Sequence, residues 1–298
     1  MDANIYLCNS TFQTTLSSEA DLDRRVCQLA EDFEYIKNNG DKLFKNESIW
    51  NVEIIQGFFA QNVYDLENAT ISRDTKVLLR KIIEYSKSTD MSDESIIESL
   101  YNNNSEILNG ILCLNQFNGE IDIDLRPCVI YDKNDWLSFH RYFLSLYPLN
   151  SKYFYEECNK YFPSTFIHPR IKETLNGMSD PFTNFSRNIV YCLTHLNDNF
   201  KSYYDSSNVQ NSVQRFASSI KFEVSLEGNA ARKRNLTFTT LDNRSQNVEI
   251  CCDPHIKLSE SDIHPADSEY YFYRIYFHGG KSNIANGKVF IGHIGNHL

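Results

Sequence analysis

Five of the eight histidines in this 298-residue chain (His255, His264, His278, His293 and His297) fall in its last 44 residues. Imidazole titrates nearer neutral pH than any other side chain, so this concentration is where acid–base or metal chemistry should be sought first. Reading 216–227, 234–242, 246–257, 270–278 and 287–294 as strands sorts the side chains by face, because residues two apart point the same way. Val248, Ile250, Cys252 and Ile256 then face inward, leaving Asp253, His255 and Lys257 opposite. Tyr271, Tyr273, Ile275 and Phe277 form one side of the next strand, with Arg274, Tyr276 and His278 on the other. One polar face would collect Glu223, His255, Lys257, Arg274, His278 and His293, with His297 in the tail beyond. In that arrangement Arg274 would hold a phosphate, His255 and His293 would move protons, and Lys257 would stabilise charge. The bland alternative is a sheet face that simply meets water. The closing run Gly292-His293-Ile294-Gly295-Asn296-His297-Leu298 argues against it, since two glycines and two histidines so close together are hard to explain by packing alone.

Zinc is the competing use of these residues. Cys252-x2-His255 and His293-x3-His297 supply four ligands. On a strand, however, residues four apart are about 13 Å distant, so zinc is not expected and no other cofactor is. Glu120, Asp122 and Asp124 alternate within GEIDID and would line one face of a strand; such a row can hold Mg²⁺, but acidic strand faces are also common on surfaces. Arg187 and His195 share a helix at a spacing that does not match small helical ribonucleases. There is no phosphate-binding glycine loop, no dinucleotide fingerprint and no nucleophile elbow.

The elements that must position these residues fall into two parts. Residues 4–8 read as a strand. Helices start at Ser17 or Ser18, Asp74, Ser92, Asn134, Asn150 and Asp180, the last running to about 203. Residues 49–59 and 119–131 read as extended. The polar stretch 201–214 is the boundary candidate, after which the period switches to two. The expected fold class is therefore α+β: a mainly helical, aromatic-rich domain over 1–210, then a compact antiparallel β domain over 211–298.

Charge divides the same way. Residues 211–298 hold ten Lys/Arg and nine Asp/Glu, leaving 19 basic against 30 acidic residues before them. So acidic a front is unsuited to nucleic acid, which selects basic surfaces, and better suited to a protein partner. RNA or DNA, if bound, belongs to the second part. No apolar run reaches 18 residues, the start lacks a secretory pattern, and the eight cysteines are scattered through apolar segments. These features point to a cytoplasmic protein with reduced cysteines and no membrane span. Nothing specifies an oligomeric state.

The segments Lys257-Leu258, Tyr273-Arg274-Ile275 and Val289-Phe290-Ile291-Gly292-His293 resemble the closing strands of RelE/ParE-type bacterial toxins. The resemblance spans 254–295 only, and the long acidic front is foreign to that family. It implies that Arg274 and polar residues near the C-terminus contact RNA phosphates. The strand-face sorting and the histidine–glycine tail give the expected function: a protein of a toxin or phage-defence system whose second domain binds or cleaves nucleic acid, with any cleavage independent of a metal. The alternative class is a non-enzymatic adaptor that docks a partner through its acidic, Tyr-rich front.

Overall fold

The first apolar run forms strand β1 (Ala3–Leu7), followed by one helical turn, α1 (Asn9–Phe12). Ser18 accepts from the Asp21 amide and so caps α2 (Glu19–Asn38), which buries Leu22, Val26, Leu29, Phe33 and Ile36 at helical spacing. Next come β2 (Lys42–Lys45) and a short hairpin, β3 (Glu53–Ile55) with β4 (Phe58–Phe59). They are followed by α3 (Arg73–Tyr85), β5 (Lys87–Ser88), α4 (Asp93–Leu100), β6 (Leu108–Leu112) and β7 (Val129–Ile130). Helix α5 (Lys133–Leu146) completes this series. The computed structural model describes residues 1–13, 18–65, 67, 71–115, 122–229, 231–263 and 272–298.

The strands β5-β2-β1-β6-β7 pair side by side, all parallel. In chain order that is 3-2-1-4-5, the doubly wound arrangement, in which ligands sit beyond the carboxyl ends of the strands. A mainly helical front domain is therefore corrected to a parallel α/β unit. The five residues of β6 are all buried, so they lack the two-residue alternation that marks a half-exposed strand. The helix N-terminus after β1, the usual phosphate seat of such folds, is already occupied: the Asp93 carboxylate accepts from the Asn9 amide at 3.1 Å and the Ser10 amide at 2.9 Å.

The chain divides into two compact units, Met1–His140 and Arg141–Leu298, with α5 running across the division. This places the boundary 70 residues before 210, because elements ahead of 210 belong to the second sheet. Charge follows the structural boundary closely. Unit 1 carries 12 Lys/Arg against 24 Asp/Glu, and unit 2 carries 17 against 15.

Unit 2 begins with α6 (Ser151–Tyr161), β8 (Thr165–Ile167), α7 (Ile171–Asn176), α8 (Ser186–Asp198), α9 (Phe200–Tyr203) and α10 (Val209–Ala217). The strands β9 (Val224–Leu226), β10 (Thr237–Leu241), β11 (Asn247–Cys251), β12 (Pro254–Leu258), β13 (Tyr273–His278) and β14 (Val289–Asn296) follow. Five of them form a sheet in the order β8-β14-β13-β12-β9, antiparallel except for the β14–β8 pair. The single strand expected over 246–257 breaks at Cys252 and Asp253. Its first half pairs with β10 in a separate hairpin, and its second half joins the main sheet. That hairpin packs Phe238, Ile250 and Cys252 onto Tyr276 and Phe290. Phe277 meets Phe200 and Phe216, with ring centroids 4.9 and 6.3 Å away, so helices cover the opposite face. Among the described residues no helix is long and apolar enough to cross a membrane. The eight cysteines are free, and all but Cys27 and Cys251 are buried.

Candidate functional site

Strand register assembles the site. Ser225, His255, Tyr276 and His293 lie opposite one another across β9, β12, β13 and β14, forming one row. Lys257, Arg274 and Gly295 form the neighbouring row on the same face.

His255 is 2% exposed. Its Nε2 lies 3.2 Å from Nη1 of Arg274 and 3.2 Å from Oγ of Ser225, and its Nδ1 lies 3.4 Å from the Asp253 carbonyl. The same Arg274 Nη1 is 3.9 Å from Oε2 of Glu227, and His297 Nε2 reaches that oxygen from the tail at 3.8 Å. The buried Nε of Arg274 has no hydrogen-bond partner. Glu227 is held by its neighbours: its amide donates to Asp253 at 2.8 Å, and the Asn229 amide donates to its carboxylate at 3.1 Å. Asp253 is fixed in turn by Lys233 at 2.7 Å.

Electrostatics divide these groups by role. Burial, reinforced by the Arg274 charge, pulls His255 down to about 4, so it is neutral at pH 7. Burial works to raise Glu227, but the Asn229 amide and the nearby Arg232 charge outweigh it and keep the carboxylate ionised. Burial lowers His297, and the charges of Arg274 and Arg232 add to the effect. The result is an ionised carboxylate and a partly exposed imidazole on one oxygen, flanked by two guanidinium groups.

The residues expected to act together therefore separate. His255, Arg274 and His297 converge on Glu227. Lys257 keeps its register beside Arg274, but its ammonium pairs with the Glu223 carboxylate. His293 lies on the other side of Tyr276, ring centroids 5.8 Å apart, with Nε2 bonded to the Asn296 carbonyl at 2.8 Å. Its Nδ1 is buried without a hydrogen-bond partner, and burial brings the ring to about 4. His278 stands past a register shift in β13, accepting from the Gly280 amide beside Tyr204. Burial and the charges of Lys281 and Lys201 bring it, too, to about 4.

The zinc set does not assemble, because Cys252 is buried in the apolar cluster beneath the hairpin. Among the described residues no three His, Cys, Asp or Glu are grouped to hold a metal ion. Glu120 and His264 lie outside the described residues, and the extended reading of 119–131 gives way to a 3-10 turn over Ile123–Cys128, which Asp122 caps through the Asp124 amide. The glycines of the tail are packing requirements after all. A Cβ on Gly292 would meet the Phe238 ring at 2.6 Å and Cys252 Sγ at 2.8 Å; Gly295 has φ +152°, with the Thr174 carbonyl 2.8 Å from where a Cβ would stand.

Sequence reasoning missed Glu227, Ser225 and Arg232. The signal for Arg232 was available in the run Ala231-Arg232-Lys233-Arg234, the densest basic segment of unit 2. Comparison of the chain with protein-family models, curated proteins and solved structures returns no match.

Proposed function

We propose that unit 2 binds nucleic acid through its phosphates at the Arg274–Glu227–His297 group, and that the group cleaves RNA without a metal. The observation that carries this reading is the convergence of a half-buried guanidinium and a partly exposed imidazole on one oxygen of an ionised carboxylate. Arg274 and the exposed Arg232 supply positive charge for a phosphate and for the extra charge of its pentacoordinate transition state. Glu227 is the base for the ribose 2′-hydroxyl proton, and His297 in its protonated form is the acid that gives its proton to the departing 5′-oxygen; because its pKa is lowered, cleavage should rise as pH falls below neutral. His255 does neither; it holds Arg274. The near-neutral balance of unit 2, against the strongly acidic unit 1, supports placing the nucleic acid here. The cellular setting we propose is a toxin or phage-defence system.

Single-stranded RNA offered to the full chain tests this. Glu227→Gln and His297→Ala should each slow cleavage by about 100-fold or more while binding persists. In cells the same substitutions should abolish growth arrest or phage protection. Wild-type protein that leaves RNA intact, or variants that act as wild type, would overturn the cleavage reading. A second reading rests on the excess of 12 acidic residues over basic ones in unit 1, which favours a protein partner for that unit. Recovery of a stable complex carrying no nucleic acid, with the pure protein unable to bind RNA, would favour it.

A further inference from the structure

Unit 1 contains a cleft of about 760 Å³, a size suited to a small molecule. Its floor is Arg25, whose side chain is 6% exposed. The guanidinium donates from Nε to the Leu114 carbonyl at 2.8 Å, and from Nη2 to the carbonyls of Cys113 at 2.8 Å and Tyr131 at 2.6 Å. Those carbonyls directly follow β6 and β7, so the cleft opens past the carboxyl ends of two parallel strands, where doubly wound sheets take their ligands. The Tyr131 ring stacks on the guanidinium at 3.8 Å and holds it flat.

One nitrogen is left over. Nη1 is buried and has no hydrogen-bond partner; Oδ2 of Asp32 stands 3.9 Å away. Asp32 is itself only 3% exposed, and it accepts from Gln28 at 3.2 Å and from the Lys133 amide at 3.2 Å. A buried donor therefore stands beside a buried acceptor at a separation that no direct bond closes, and unmet buried donors are rare in native proteins. A simple anion would satisfy Nη1 but be repelled by Asp32, and carboxylates outnumber cations on the walls by four to three. A ligand that carries an acceptor and an N–H donor side by side satisfies both groups.

We infer that this cleft binds a neutral small molecule through an amino–carbonyl edge, its carbonyl accepting from Arg25 Nη1 and its N–H donating to Asp32. That edge belongs both to simple carboxamides and to nucleobases.

Calorimetric titration of the full chain with nicotinamide, cytosine and nicotinate tests the inference. Binding of nicotinamide alone identifies a carboxamide site, and binding of cytosine, with or without nicotinamide, a site that admits nucleobases. Nicotinate, an anion without the N–H, should bind at least about tenfold more weakly than nicotinamide, and Asp32→Asn should weaken the bound amide by a similar factor. Arg25→Lys should abolish binding; should that variant fail to fold by circular dichroism, the nicotinate comparison on wild-type protein and Asp32→Asn decide. The inference is overturned if nicotinate binds as well as nicotinamide, if Asp32→Asn has no effect, or if neither nicotinamide nor cytosine binds at millimolar concentration.

Discussion

Arg274 donates from Nη1 to Nε2 of His255 across 3.2 Å, and this contact fixes the tautomer of the imidazole. A guanidinium only donates, so Nε2 accepts and His255 carries its proton on Nδ1, toward the Asp253 carbonyl. The imidazole is therefore a neutral anchor that aims the cation. In the cleavage proposed above, proton transfer falls to Glu227 and His297, whose Oε2 and Nε2 are 3.8 Å apart.

The first prediction concerns acid stability. His255 sits at about 4 when folded, through burial and Arg274, against about 6.5 when unfolded. Between those values the unfolded chain binds a proton that the folded one refuses, so this histidine's contribution falls as pH drops from 6.5 toward 4 and is flat outside that window. The loss amounts to ~3 kcal/mol at most. Urea midpoints taken from pH 7 to 4.5 should decline less steeply for His255→Gln than for wild type. Equal slopes would mean that the ring is not held neutral.

The second concerns the hairpin over the sheet. Gly292→Ala would push a methyl group into Phe238 and Cys252, at a cost of about 1–3 kcal/mol by overpacking. Phe238→Leu in the same chain should recover part of it. Unchanged thermal stability for Gly292→Ala would contradict the packing of the hairpin on β14.

The third concerns unit 1. Asp41 is buried and accepts from the Ala3 amide at 2.9 Å, from Trp136 Nε1 at 2.7 Å and from His140 Nε2 at 2.9 Å, tying β1 to α5. Asp41→Ala removes an acceptor shared by three donors and should cost about 3 kcal/mol, read as a lower denaturation midpoint. A loss below about 0.5 kcal/mol, the range of ordinary surface changes, would count against that tie.

How much of this could be read from the chain alone depends on burial pattern. The strands around His255 and Arg274 alternate between an apolar and a polar face in sequence, so their facing was legible, whereas the register that sets His255 opposite Tyr276 was not. The parallel sheet of unit 1 was not: β6 is buried throughout, and β5 and β7 are two residues each. The unit boundary was hidden for a related reason. Three residues, Thr165–Ile167, are too short to signal a strand, yet they edge the second sheet beside β14. His278 illustrates the limit of face sorting, because the register shift after Tyr276 carries it away from the residues that share its parity. Glu227 gave no pattern at all, since its role comes from the tail folding back to place His297 beside it.

The central claim, that unit 2 grips phosphates with Arg274 and Arg232, is tested most directly by the salt dependence of RNA binding. Fluorescence anisotropy with a labelled single-stranded RNA should give a log–log slope that shrinks by roughly 0.7 for each arginine removed, in Arg232→Ala and Arg274→Ala, in variants confirmed folded by circular dichroism. A slope identical to wild type in both, or no binding by the wild-type protein at low salt, would contradict the account.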